Sequence, residues 1–301
     1  MKHLNTRLSL SAVAALAASG LSVLTAAPAD ADLLFYEDFT GLTSEIASLD
    51  GQGGWNSPSD SLQVRSGTIG TDVGSGTWDG SMPGSATSGG NFIAPVFGGT
   101  QGFGDIALDS FVTNSFAEGT TTWFTYVEYN ANGGANARQN IAIGAAPLTA
   151  LDGASMAGDG IGVASSGSNT PRAAYWDAAT GENAATSTIG SGRPIFVVAK
   201  IEWSDAGDDT ITIKRWNQSG IPAGFNEAAW NAEVQFSTIS ADLDQSTFDT
   251  LSIASGYAWF DDIRIANDFD SAVTGTTVVP EPTSLALLAL GGLCLACRRR
   301  A

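Results

Sequence analysis

Between residues 32 and 279 apolar side chains recur at every second position, in short runs separated by Gly, Asn, Asp and Ser. That is the period of a strand with alternate side chains on opposite faces. The pattern predicts strands at 33–39, 62–65, 68–73, 91–97, 106–116, 121–129, 139–145, 160–164, 173–176, 195–203, 210–216, 234–237, 250–254 and 258–265, with a helical turn at 226–232 alone. The clearest local unit is a hairpin. Ile201 and Trp203 alternate with Lys200 and Glu202, Ile211 and Ile213 alternate with Thr210, Thr212 and Lys214, and an acidic, glycine-containing turn joins the two runs. So many short strands in one sheet would leave an apolar face in water. The expected architecture is therefore all-β, a two-sheet antiparallel jelly-roll sandwich.

Both ends of the chain break this pattern. Lys2, His3 and Arg7 precede an apolar run at 8–24, and Ala29 and Ala31 occupy the small-residue positions of a signal-peptidase site. Residues 1–31 are thus expected to form a signal helix that is removed after Ala31. At the other end Pro280, Glu281 and Pro282 precede an uncharged run at 285–297 and then Arg298, Arg299 and Arg300. As a helix that run rises about 20 Å, short of a bilayer core of about 30 Å. The prolines forbid helix upstream, and the arginines favour the cytoplasmic side. The order of proline break, apolar helix and cationic end resembles the PEP-CTERM sorting signal of Gram-negative, exopolysaccharide-producing bacteria. The resemblance implies transient anchoring in the inner membrane, recognition by the membrane peptidase-transpeptidase exosortase, and delivery to the outer surface or extracellular matrix. The domains read as signal peptide 1–31, β-sandwich 32–270, linker 271–279 and sorting signal 280–301.

Composition narrows the chemistry of what is delivered. Without the two ends the chain keeps 29 acidic and 8 basic side chains, a net charge near −21. Nucleic acid is excluded as a partner, because phosphate binding needs a basic surface. Both cysteines, Cys294 and Cys297, lie in the tail, and the only histidine, His3, lies in the signal segment. Histidine-dependent nucleophilic catalysis and histidine-ligated zinc are therefore excluded from the delivered part.

Three groups of residues are candidates for function. Trp176, Trp216 and Tyr126 lie on or beside strands and are the candidates to stack on sugar rings. Asp205, Asp208 and Asp209 share one turn and are the candidate calcium ligands. Asp261 alternates with Ile263 and Ile265, so it is expected to point inward in a structural role. Glycosidase chemistry needs paired carboxylates; the chain has no Glu-x-Asp, only Asp242-x-Asp244 and Asp268-x-Asp270 outside strong strands. The segments 36–39, 51–55, 195–201, 208–211 and 259–265 resemble those of concanavalin A-like, laminin-G-like sandwiches. The resemblance implies the same jelly-roll fold. The expected function is a non-enzymatic carbohydrate-binding or adhesive module, with extracellular polysaccharide as partner. A structural matrix or coat protein without a glycan ligand, and a polysaccharide hydrolase or lyase, are the alternatives.

Overall fold

In the computed structural model, residues 32–275 are described apart from 45–46, 59–60, 67–90, 97–100, 131–137, 152–155, 167–169, 190–194, 206, 218–220 and 223. The signal helix, the hydrophobic C-terminal helix with its Pro-Glu-Pro and arginines, and the strand expected at 68–73 lie outside the described residues. In chain order the strands begin with β1 (Leu33–Glu37), β2 (Ala47–Ser48), β3 (Trp55–Asn56), β4 (Leu62–Ser66), β5 (Asn91–Pro95) and β6 (Gly102–Ala107). Helix α1 (Ser110–Thr113) follows, then β7 (Thr121–Asn130), β8 (Gln139–Gly144), β9 (Gly160–Ser166), β10 (Thr170–Asp177) and β11 (Gly181–Ala184). Then come β12 (Ile195–Glu202), β13 (Asp209–Asn217), α2 (Glu227–Ala232), β14 (Ser237–Ala241), β15 (Thr250–Ser255), β16 (Ala258–Ala266) and α3 (Phe269–Thr274).

The strands form two antiparallel sheets. One has nine strands in the order β14-β13-β12-β7-β16-β5-β4-β2, with β1 also paired to β16; the other has seven in the order β11-β10-β9-β8-β15-β6-β3. The hairpin read from the alternation is β12–β13, with Ile201 opposite Ile211. Between the sheets Phe124, Tyr126, Val197, Ile211, Ile213 and Phe260 meet Ile141, Ile143, Ile161, Val163, Leu251 and Ile253 in one apolar core. This confirms the two-sheet jelly-roll sandwich.

The alternate positions are buried as well. On the outer face of the nine-stranded sheet Trp123, Val127, Tyr129, Phe196, Val198, Trp216 and Trp259 pack under Phe225, Trp230 and the Phe269, Ala272 and Val273 side chains of α3. Two cations rise from this face to meet the helices. Lys214 donates from Nζ to the carbonyls of Trp230 (2.7 Å), Asn231 (3.2 Å) and Glu233 (2.9 Å) at the end of α2. Arg264 donates from Nη1 to the Val273 carbonyl of α3 at 2.6 Å. Helix C-termini expose unpaired carbonyls and a partial negative charge, which these cations satisfy.

Four expectations are corrected. The strand expected at 106–116 stops at Ala107, because Asp109 caps α1 by accepting from the amides of Phe111 and Val112. The strand expected at 234–237 begins at Ser237 and runs to Ala241, where Thr238 and Ser240 pair their hydroxyls with Thr212 and Thr210. The linker expected from 271 is not a linker at its start: α3 buries Ser271, Ala272 and Val273 and closes on Gly275 at φ 67°. Asp261 does not share the face of Ile263, because the β16–β7 register shifts between Asp261 and Arg264. That bulge, with Asp262 at φ 50°, reverses the parity of the strand.

Candidate functional site

Helices α2 and α3 begin beside one another. Asn226 caps α2 by accepting from the Ala229 amide at 3.0 Å, and Asp268 caps α3 by accepting from the Ser271 amide at 2.9 Å. Between the two starts lies a cleft of about 400 Å³ lined by Asn226, Glu227, Ala228, Asp268, Phe269 and Asp270. Phe269 lies beneath the cleft, buried by edge contacts to Phe225 and Trp123 at centroid distances of 5.4 and 5.0 Å. Glu227 and Asp270 are exposed. Asp268 spends one carboxylate oxygen on its cap and leaves Oδ2 without a hydrogen-bond partner. The lining offers carboxylate and amide acceptors and no cation. Such a surface accepts hydroxyl hydrogens and repels anions.

The residues expected to stack on sugars are not at a surface. Tyr126 is 1% exposed and lies between the sheets, against Phe124 and Phe260. Trp216 packs edge-on against Phe225 at 4.6 Å, under the helical layer. Trp176 is fully buried on the outer face of the seven-stranded sheet, beneath Leu148, Leu151 and Met156. All seven described tryptophans are buried, because both outer faces are covered and alternation therefore hides both parities. The expectation of an aromatic platform built from these three is overturned.

The candidate calcium ligands also separate. Asp209 is buried and accepts from the amides of Ser204 (2.9 Å) and Leu243 (3.3 Å), which closes the β12–β13 turn, while Asp205 and Asp208 face solvent. Among the described residues no cluster of three carboxylates could hold a metal. The three aspartates are a turn, with Asp209 its internal acceptor.

Two further polar groups were not legible as sites. At the β16 bulge the Tyr36 hydroxyl donates to Asp262 at 3.0 Å, Arg264 lies over the Tyr36 ring at 5.2 Å, and Asp261 accepts from the Asp262 amide at 2.9 Å. Burial, and then the neighbouring Asp262 charge, push the Asp261 carboxyl well above the usual carboxylate range. Across the outer face of the seven-stranded sheet, register aligns Ala184, Ala174, Gly162, Ala142, Ser252, Asp105 and Asn56 in one row of small or polar residues. Beside it burial pushes the Glu182 carboxyl up, against the opposing charges of Arg172 and Arg138 and a hydrogen bond with Asn140. The helical reading of 226–232 and the Asp268-x-Asp270 pair were visible in the sequence; their meeting at one cleft was not.

Comparison with solved structures returns chains of low identity. A protein of unknown function from Shewanella oneidensis MR-1 is 12% identical over 91% of this chain and 98% of its own, with a TM-score of 0.39. A carbohydrate esterase from the Shiga toxin-encoding bacteriophage phi24B is 9% identical over 79% and 100%, with a TM-score of 0.42. An endo-1,3-β-glucanase from Streptomyces sioyaensis is 12% identical over 80% and 98%, with a TM-score of 0.38. Likeness of this degree carries no functional argument, and the sandwich assignment rests on strand order and register. No curated protein matches the chain. The family comparison is decisive only at the C-terminus: residues 278–300 match the PEP-CTERM protein-sorting motif, so the chain is an exported protein carrying that signal.

Proposed function

We propose that the delivered protein is a surface-displayed carbohydrate-binding and adhesive module that takes neutral polysaccharide in the α2–α3 cleft and performs no chemistry on it. The observation that carries this reading is the cleft itself. Its volume of about 400 Å³ falls in the range of about 300–1,000 Å³ common for small-ligand sites. The exposed Asn226, Glu227 and Asp270 supply acceptors for hydroxyl groups. A net charge near −21 on the delivered part opposes uronate or sulfate polymers, so the fitting ligand is uncharged. Signal peptidase acts after Ala31, exosortase acts at the tail, and the destination is the outer surface or extracellular matrix of a Gram-negative cell.

Titration calorimetry of the exported, processed protein tests the reading. Neutral matrix polysaccharide should bind and a polyuronate should not. The double change Glu227→Ala and Asp270→Ala, at two exposed positions, should weaken binding tenfold or more without altering the melting temperature. Absence of binding to every neutral polysaccharide and to native matrix would overturn the proposal in favour of a structural coat role. Release of reducing ends would overturn it in favour of an enzyme.

A further inference from the structure

One interior carboxyl takes no part in the cleft. Glu128 lies on β7 opposite Ile195 of β12 and Phe260 of β16, on the face that points between the sheets with Phe124 and Tyr126. It is 1% exposed. Its Oε1 accepts from the Nε2 amide of Gln139, which lies on β8 in the opposite sheet. Its Oε2 has no hydrogen-bond partner. Gln139 is itself buried, and its register partner on β15 is the uncharged Ser255.

The surroundings offer little to stabilise a negative charge. Beta strands β12, β16 and β15 present Ile195, Phe260 and Ser255. From β7 itself the phenol of Tyr126 shares the face. From β13 the guanidinium of Arg215 acts on the carboxyl by charge, but its Nη1 donates to Asn217 at 2.6 Å and it also feels Glu233. A carboxylate this deeply buried with one neutral hydrogen bond carries a large desolvation cost.

We propose that Glu128 is a proton-operated clasp between the two sheets: neutral, it closes this end of the sandwich through Gln139, and ionised, it loosens that end. Burial raises the carboxyl from its ordinary 4.5 to about 8, against the lowering effects of Gln139 and Arg215. The folded state therefore binds the proton more tightly than the unfolded state. The contribution of this group to stability is fully present below about pH 4.5, declines as pH rises, and is lost above about pH 8.

Carboxyl titration by ¹³C NMR on the exported, processed protein should give Glu128 a midpoint near 8. Amide exchange at 126–130 and 139–141, corrected for the intrinsic pH effect, should accelerate tenfold or more between pH 6 and pH 9. Glu128→Gln should remove that acceleration, Gln139→Leu should make exchange fast at both pH values, and Glu182→Gln should leave the wild-type behaviour unchanged. A Glu128 midpoint in the ordinary carboxylate range, or unchanged acceleration in Glu128→Gln, would overturn the proposal. If Glu128→Gln fails to fold, the wild-type titration decides alone.

Discussion

Lys214 and Arg264 show how one side chain couples a sheet to the layer above it. Lys214 is 6% exposed, caps α2 with three carbonyl contacts and sits 4.4 Å over the Trp230 ring, a cation–π geometry. Arg264 is fully buried, caps α3, and is joined to Asp262 through Nη2 at 3.4 Å. Removing Lys214 takes a donor from three carbonyls, of which that of Trp230 keeps the Glu233 amide, and removing Arg264 takes the donor from the buried Val273 carbonyl. Removing Arg264 also leaves the buried Asp262 carboxylate without its guanidinium partner. Lys214→Met is therefore expected to cost about 1–3 kcal/mol, and Arg264→Met about 3–5 kcal/mol, in urea unfolding. Arg264→Met should also expose α3 to proteolysis first, which an identification of early cleavage products would show. Neither role was visible beforehand: an alternating strand predicts that Lys214 faces away from Ile213, but not that a helix will lie there to receive it.

At the level of elements, alternation located strands well where the pairing register runs unbroken, as between β12 and β13. The β12–β13 hairpin and the α2 turn were found with nearly their observed limits. Errors fall where a local hydrogen bond competes with the ladder. Asp109 stops a strand by capping α1, and the bulge at Asp261 and Asp262 inverts the parity on which an inward Asp261 was argued. Close approach of strands is also hidden from periodicity. A Cβ on Gly162 of β9 would clash with the Ile141 carbonyl oxygen of β8, a contact that backbone atoms of a paired strand cannot relieve by rotation. Gly162→Ala should therefore destabilise the seven-stranded sheet by about 1–3 kcal/mol or more, read as a lower melting temperature. Strands β2, β3 and β11 were missed; β11, Gly-Glu-Asn-Ala, has no alternating apolar signal and exists through its register with β10.

For the whole molecule, address and cargo are separable in sequence. The PEP-CTERM match at 278–300 lies beyond Gly275, where α3 ends. Replacing Pro280 and Pro282 by Ala together with Arg298, Arg299 and Arg300 by Ala should leave the tail unprocessed and the protein membrane-associated. Immunoblots of cell fractions would show a larger, retained species, while N-terminal sequencing should still begin at Asp32. The folded body reaches that residue, since the Asp32 amide donates to the Asn267 side chain at 2.7 Å. By itself the sequence determined the C-terminal sorting signal, the all-β class, the acidic charge and the confinement of histidine and cysteine to the two ends of the chain, because these depend on local composition and period. Tertiary structure alone decided that Trp176, Trp216 and Tyr126 are interior, that Asp209 closes a turn, and that Asn226 and Asp268 border one cleft. A two-residue period specifies that a strand has two faces; what covers each face comes from segments far away in the chain, through packing that no local pattern encodes.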